Sequence, residues 1–219
     1  GNPVLNGYYA DPNLCIFGDT FYLYPTTDGG TGWNSSSFKA FSSKDLINWK
    51  DEGEILSLKD VSWSSGVYAW APTAVEKDGK YYYYYSGTQS IGVAVSDSPT
   101  GPFEDPLGEA LINNHTPNCA DVIWIFDPAV LVDDDGRAYL YFGGGVPEGQ
   151  AANPGTARVV ELGEDMISIA GEPVIIDAPY VFEDSGIHKY NNKYYYTYCS
   201  NWDVDQAGTD QYGFESGEI

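Results

Sequence analysis

The sequence predicts an all-β fold made from one repeated multi-stranded unit, and three observations carry that prediction. Aromatic residues make up 16% of the 219-residue chain, with 19 Tyr and 6 Trp, residue types that fit pleated, half-buried strands. Four segments align along it: ADPNLCIFGDTFYLYPTT from Ala10, WAPTAVEKDGKYYYYYSGT from Trp70, FDPAVLVDDDGRAYLYFGG from Phe126 and FEDSGIHKYNNKYYYTYCS from Phe182. No ten-residue stretch holds a convincing helical period, so helices should be minor.

Each segment reads as a short apolar-alternating strand, a tight polar or glycine turn, and a second strand rich in Tyr, which is the hairpin pattern. A third strand follows at FKAFSSKD from Phe38, IGVAVSDS from Ile91 and ARVVELGE from Ala157. A fourth is expected near residues 52–56, 108–112 and 171–176. Four short strands per unit, at a period near 50, predict the blades of a β-propeller. A sandwich would not repeat its hairpin in register, and a solenoid would use shorter units. The fourth unit reaches only Ser216–Ile219, which matches the start of a third strand. The ring is therefore expected to be completed by a second polypeptide, a cleaved fragment or a continuation of the chain, since an open propeller exposes sheet edges.

The net charge is −22, from 10 basic and 32 acidic residues. Such a surface repels phosphate backbones and anionic lipid, so neither nucleic acid nor a membrane is expected as a partner. No apolar run is long enough to span a bilayer. Cys15, Cys119 and Cys199 show no CxxC or Cys/His spacing, which argues against zinc and for buried free thiols. His115 and His188 are too few and too separated for a zinc cluster. Asp133–Gly136 reads as a hairpin turn, and Tyr81–Tyr85 as a strand with aromatics on both faces.

Equivalent positions in successive blades are related by rotation about one axis, and the first strand of each blade is innermost. Taking the second residue of each segment, Asp11, Ala71, Asp127 and Glu183 are 60, 56 and 56 residues apart. Three carboxylates are thus expected to converge on one mouth of the channel. Like charges out of water repel, so a purely structural protein gains little from this. Glycoside hydrolysis does gain: one carboxyl protonates the leaving oxygen, another activates water, and a third raises the pKa of the acid. An Asp-Pro pair alone, as at Asp11-Pro12 or Asp127-Pro128, is more simply a turn or strand-entry signal.

With these residues in place, the chain resembles glycoside hydrolase family 43. NPVLNGYYADPNLCIFGDTFYLYPTTDG looks like that family's opening blade. YAWAPTAVEKDGKYYYYYS, IGVAVSDSPTGPF and FDPAVLVDDDGRAYLYFGG look like its second and third. The resemblance implies a five-bladed propeller, of which this chain supplies about three and a half blades. Residues 1–219 would be one catalytic domain truncated in the fourth blade, with the fifth absent. Carried over by position, Asp11 is the general base, Asp127 the pKa modulator and Glu183 the general acid. Many members have Gly-Pro or Ala-Pro after the acid, where this chain has Asp184-Ser185. Asp184 is a rival acid, which strand alternation would point to the other face.

Trp70 matches a family Trp that walls the sugar pocket, where an indole face can stack on a sugar. Trp33, in the glycine-rich loop after the second strand, is a further substrate-binding candidate. Phe126 and Phe182 flank the carboxylates and either shield an acid or serve packing. The activity implied is an inverting α-L-arabinofuranosidase, a β-xylosidase or both, on plant arabinoxylan, arabinan or xylan. Its carboxyl separation would be about 6.5–9.5 Å. The alternative is a non-catalytic propeller that binds glycan or protein. No cofactor is required and no metal-binding residue is assigned, though a structural calcium in the channel is compatible with the fold. An extracellular location is expected, with the cytoplasm as the alternative.

Overall fold

The computed structural model describes residues 3–28, 30 and 32–200. It is built from thirteen strands and one 3₁₀ turn, Leu58–Asp60, among the described residues. Within them no helix is long and apolar enough to cross a membrane. β1 (Tyr9–Phe17), β2 (Thr20–Thr27), β3 (Ser37–Ser43) and β4 (Lys50–Ser57) form the first sheet in chain order. β5 (Trp70–Lys77), β6 (Lys80–Gly87) and β7 (Ser90–Ser96) form the second. The third holds β8 (Ala129–Val132), β9 (Ala138–Phe142), β10 (Arg158–Glu161) and β11 (Val174–Ile175), and the fourth holds β12 (Val181–Tyr190) and β13 (Lys193–Ser200). All pairings are antiparallel between sequence neighbours. The first strands lie against one another from sheet to sheet, β1 on β5, β5 on β8 and β8 on β12. This is consecutive blades arranged around an axis, as the repeat predicts.

The core is the set of seams between blades. Tyr24, Phe38, Ile55 and Leu58 of blade one meet Tyr83 and Tyr85 of blade two. On the opposite face of β6, Tyr84 joins Leu140, Phe142 and Val160 of blade three. The tyrosine run therefore serves two seams by strand alternation. Ala157 and Ala178 meet Val181, with Tyr196 and Tyr198 packed alongside, at the third seam.

Three expectations are corrected. Residues 108–112 do not form a fourth strand of blade two; only isolated bridges, Ile91 with Ile112 and Val95 with Glu104, mark its place. Pro106 and the left-handed Gly108 break the ladder there. All three cysteines are free, but Cys199 is exposed and Cys15 half-buried, leaving Cys119 as the buried thiol. The third correction concerns register. Thr26 pairs with Ala10, Ser86 with Trp70, and Cys199 with Glu183. Glu183 is thus the counterpart of Ala10 and Trp70, and Asp184 is the counterpart of Asp11 and Ala71. The cause is an irregularity between Val181 and Glu183 that places the extra residue Phe182 in β12. Ser216–Ile219 lies outside the described residues.

Candidate active site

The opening of each innermost strand is bent the same way. Asp11 (φ 46°), Ala71 (φ 36°), Asp127 (φ 52°) and Asp184 (φ 63°) are all left-handed. That region is unfavourable for a residue with a Cβ, and the first three are also followed by proline. Each such residue stores on the order of 1–3 kcal/mol unless its surroundings hold it.

Hydrogen bonds between blades do the holding. The Ala71 N–H donates to Thr26 Oγ1 at 2.7 Å, and the Asp127 N–H donates to Ser86 Oγ at 2.9 Å. Thr26 and Ser86 occupy one position of the second strand, each bonding the bent residue of the next blade. The third junction differs. Gly143 stands at the hydroxyl position, and a Cβ there would meet the Thr156 carbonyl oxygen at 2.4 Å. No side chain fits, and the Asp184 N–H donates instead to Asp127 Oδ2 at 2.8 Å.

Two cavities meet at these bends. The larger, about 450 Å³, is lined by Asp11, Asp127 and Glu183 together with Trp33, Trp70, Phe126 and Phe182. Every residue singled out in the sequence as catalytic or substrate-binding therefore lies around one pocket, of a size usual for small-molecule sites. The smaller, about 190 Å³, is polar and is lined by Asp11, Ala71, Asp127 and Asp184. Asp11 and Asp127 border both, whereas Glu183 borders only the first and Asp184 only the second. The one-residue shift accounts for this division: Ala10, Trp70, Phe126 and Glu183 face the aromatic pocket, and the residues after them face the polar cavity.

The aromatic wall is braced. Trp70 Nε1–H donates to the Trp33 carbonyl at 3.0 Å, and the Tyr68 ring lies 4.6 Å from that of Trp70. Trp124 stands edge-on to Phe126 at 5.4 Å and to Phe182 at 5.2 Å. Tyr68, Trp124 and Thr26 also line the pocket and were not anticipated from the sequence. Tyr68 and Trp124 each lie two residues before an assigned aromatic but outside the named strands, so no strand pattern marked them. Thr26, Ser86 and Cys199 do recur at one place in the second strand.

Electrostatically the site is one-sided. Neither cavity is lined by a lysine, arginine or histidine among the described residues. Burial raises the Asp11 pKa, the Thr26 hydroxyl 2.6 Å from Oδ2 opposes the rise, and the charges of Asp184 and Asp28 add to it. Burial raises Asp127 well above the carboxylate range; the Asp184 N–H opposes this, and Asp11, Glu183 and Asp184 reinforce it. Asp184 is also raised by burial, with a partly offsetting hydrogen bond from Cys199. A cluster of this kind retains protons that isolated carboxyls would lose, and its titrations are shared among its members. Among the described residues no group of three or more His, Cys, Asp or Glu is arranged to hold a metal ion.

The profile described as "Glycosyl hydrolases family 43" matches residues 1–213. The chain belongs to glycosyl hydrolase family 43. It is 43% identical over its whole length to an arabinoxylan arabinofuranohydrolase of Paenibacillus polymyxa, covering 38% of that protein. It is 40% identical over its whole length to the arabinoxylan arabinofuranohydrolase of Bacillus subtilis (strain 168), covering 48% of it. The crystal structure of a B. subtilis family 43 arabinoxylan arabinofuranohydrolase in complex with cellotetraose superposes with a TM-score of 0.84 at 40% identity, over 91% of this chain and 47% of that one. The chain thus spans less than half the length of these family 43 relatives.

Proposed function

We propose that the protein carrying this chain is an inverting glycosidase that releases arabinose, xylose or both from arabinoxylan, arabinan or xylan. The observation that carries the reading is the meeting of Asp11, Asp127 and Glu183 in one aromatic-lined pocket. Its relatives named arabinoxylan arabinofuranohydrolase support the substrate class.

In this reading the sugar ring packs against the Trp70 indole, which the Trp33 carbonyl holds in place. Glu183 gives its proton to the glycosidic oxygen as the bond to the anomeric carbon breaks, and the leaving group departs as an alcohol. Water attacks the opposite face of the anomeric carbon and loses its proton to Asp11. Asp11 Oδ2 accepts the Thr26 hydroxyl, which orients the carboxylate that takes that proton. Asp127, buried and facing both, makes ionisation of its neighbours costly and so favours a protonated acid. No cofactor takes part in these steps. In this reading a second polypeptide, a cleaved fragment or a continuation of the chain completes the ring, and the enzyme meets its polymeric substrate outside the cell.

The test uses the full-length protein and 4-nitrophenyl α-L-arabinofuranoside or β-D-xyloside. Asp11→Asn is expected to lower turnover by about 10²–10⁴-fold, the loss typical of removing an essential acid–base group. Glu183→Gln should lose less on the activated nitrophenyl leaving group than on the polymer, because a good leaving group needs little protonation. Proton NMR of the first product anomer should show inversion. Tight glycan binding with no turnover would instead favour a binding propeller.

A further inference from the structure

Asp184 stands at the position of Asp11 and Asp127, on the polar side of the site, and the proposed chemistry leaves it without a role. We infer that Asp184 is a positioning residue of the same site, a fourth carboxylate that acts through Asp11 and Asp127 from the polar cavity. The inference rests on the glycosidase reading and deepens it.

Its backbone holds Asp127. The left-handed turn at Asp184 directs its N–H onto Asp127 Oδ2, which accepts at this junction as a hydroxyl accepts at the two before it. Its side chain is held as that of Asp11 is. Cys199, at the position of Thr26, donates its S–H to Asp184 Oδ2 at 3.7 Å, just as Thr26 donates to Asp11 Oδ2. Asp184 lines the polar cavity and not the aromatic pocket, so it does not reach a sugar seated against Trp70. Its influence passes through charge. Asp11 faces the Thr26 hydroxyl and the carboxylates of Asp28 and Asp184, and Asp127 faces Asp11, Glu183 and Asp184. No described cation lines either cavity to offset that charge. Removing one negative charge beside Asp11 makes the base easier to ionise, so the base works at lower pH.

The experiment measures kcat/KM against pH on 4-nitrophenyl α-L-arabinofuranoside and β-D-xyloside, for the full-length protein and its Asp184→Asn and Asp184→Gly variants. Asn and Gly both tolerate the left-handed turn, so both variants keep the N–H that holds Asp127. The acid limb is expected about one pH unit lower in both, the effect of a single neighbouring charge. KM at the plateau is expected to be unchanged, because the pocket wall is untouched. A purely structural role for Asp184 would alter thermal stability or plateau rate without moving the limb. Release by the unsubstituted protein with superimposed pH profiles in all three forms would overturn the inference alone. Absence of release by the unsubstituted protein from either glycoside would reject the glycosidase reading, and the inference with it.

Discussion

Asp127 is buried, faces three carboxylates and has one backbone N–H to stabilise its charge. Its native pKa therefore lies above its unfolded value, so between those two values the folded chain binds more protons than the unfolded one. Stability must then fall as pH rises through that window, beginning near the ordinary Asp value of about 4. The site is in this sense folded at a cost that function offsets. Asp127→Asn keeps the shape and an acceptor for the Asp184 N–H but carries no charge. It is expected to raise the melting temperature at neutral pH, at about 2–4 °C for each kcal/mol gained, and to flatten the decline in stability above pH 4. It should also depress turnover. Thermal unfolding followed at several pH values checks this, and an unchanged or lower melting temperature at pH 7 would contradict it.

At the scale of elements, the repeated device is a hydroxyl at the end of a second strand that fastens the bent first strand of the next blade. Thr26 does this for Ala71 and uses the same hydroxyl to donate to Asp11. Thr26→Val preserves volume but leaves the Ala71 N–H unpaired, an expected loss of about 1–3 kcal/mol. It also removes the donor that stabilises ionised Asp11, so the acid limb of activity should move to higher pH, opposite to the shift expected for Asp184→Asn. Thr26→Ser should restore both. Denaturant unfolding and a pH–rate profile read the two effects separately. The hairpins that carry this device were legible in the sequence because alternation and turn residues encode them locally. The trio of carboxylates was legible because it sits at hairpin openings. What the sequence hid was the irregularity at Phe182: one extra residue in β12 leaves composition and alternation almost unchanged, yet exchanges Glu183 for Asp184 at the repeat position. The fourth strand of blade two was misread for a related reason, since an apolar Leu111-Ile112 pair looks strand-like while Pro106 and Gly108 decide the backbone.

On the scale of the whole molecule, the two flanks of the described blades are unequal to the seams between them. Leu14 and Ile16 alternate with Cys15 and Phe17 along β1; the latter pair packs toward blade two, while Leu14 and Ile16 are 51% and 62% exposed. At the other flank Tyr190 and Tyr195 of β12 and β13 are exposed, while Tyr194 bonds Asp133 of blade three and Tyr196 and Tyr198 pack toward that blade. Innermost strands in the middle of the series are not divided in this way: β5 is buried from Ala71 to Ala74. Large apolar side chains on one face of a first strand are what a further blade would cover. If the rest of the family 43 ring closes onto β1, then Leu14 and Ile16 are core residues of the full-length protein. Ile16→Asp should accordingly be close to neutral in the 219-residue chain, where the side chain meets water. In the full-length protein it should cost at least the burial energy of an isoleucine, about 1.5–3 kcal/mol, and activity should fall with it. Paired denaturant melts of the two forms measure the difference. Equal effects in both would mean that β1 is an outer edge, and that the residues completing the pocket come from somewhere other than a blade seated on this face.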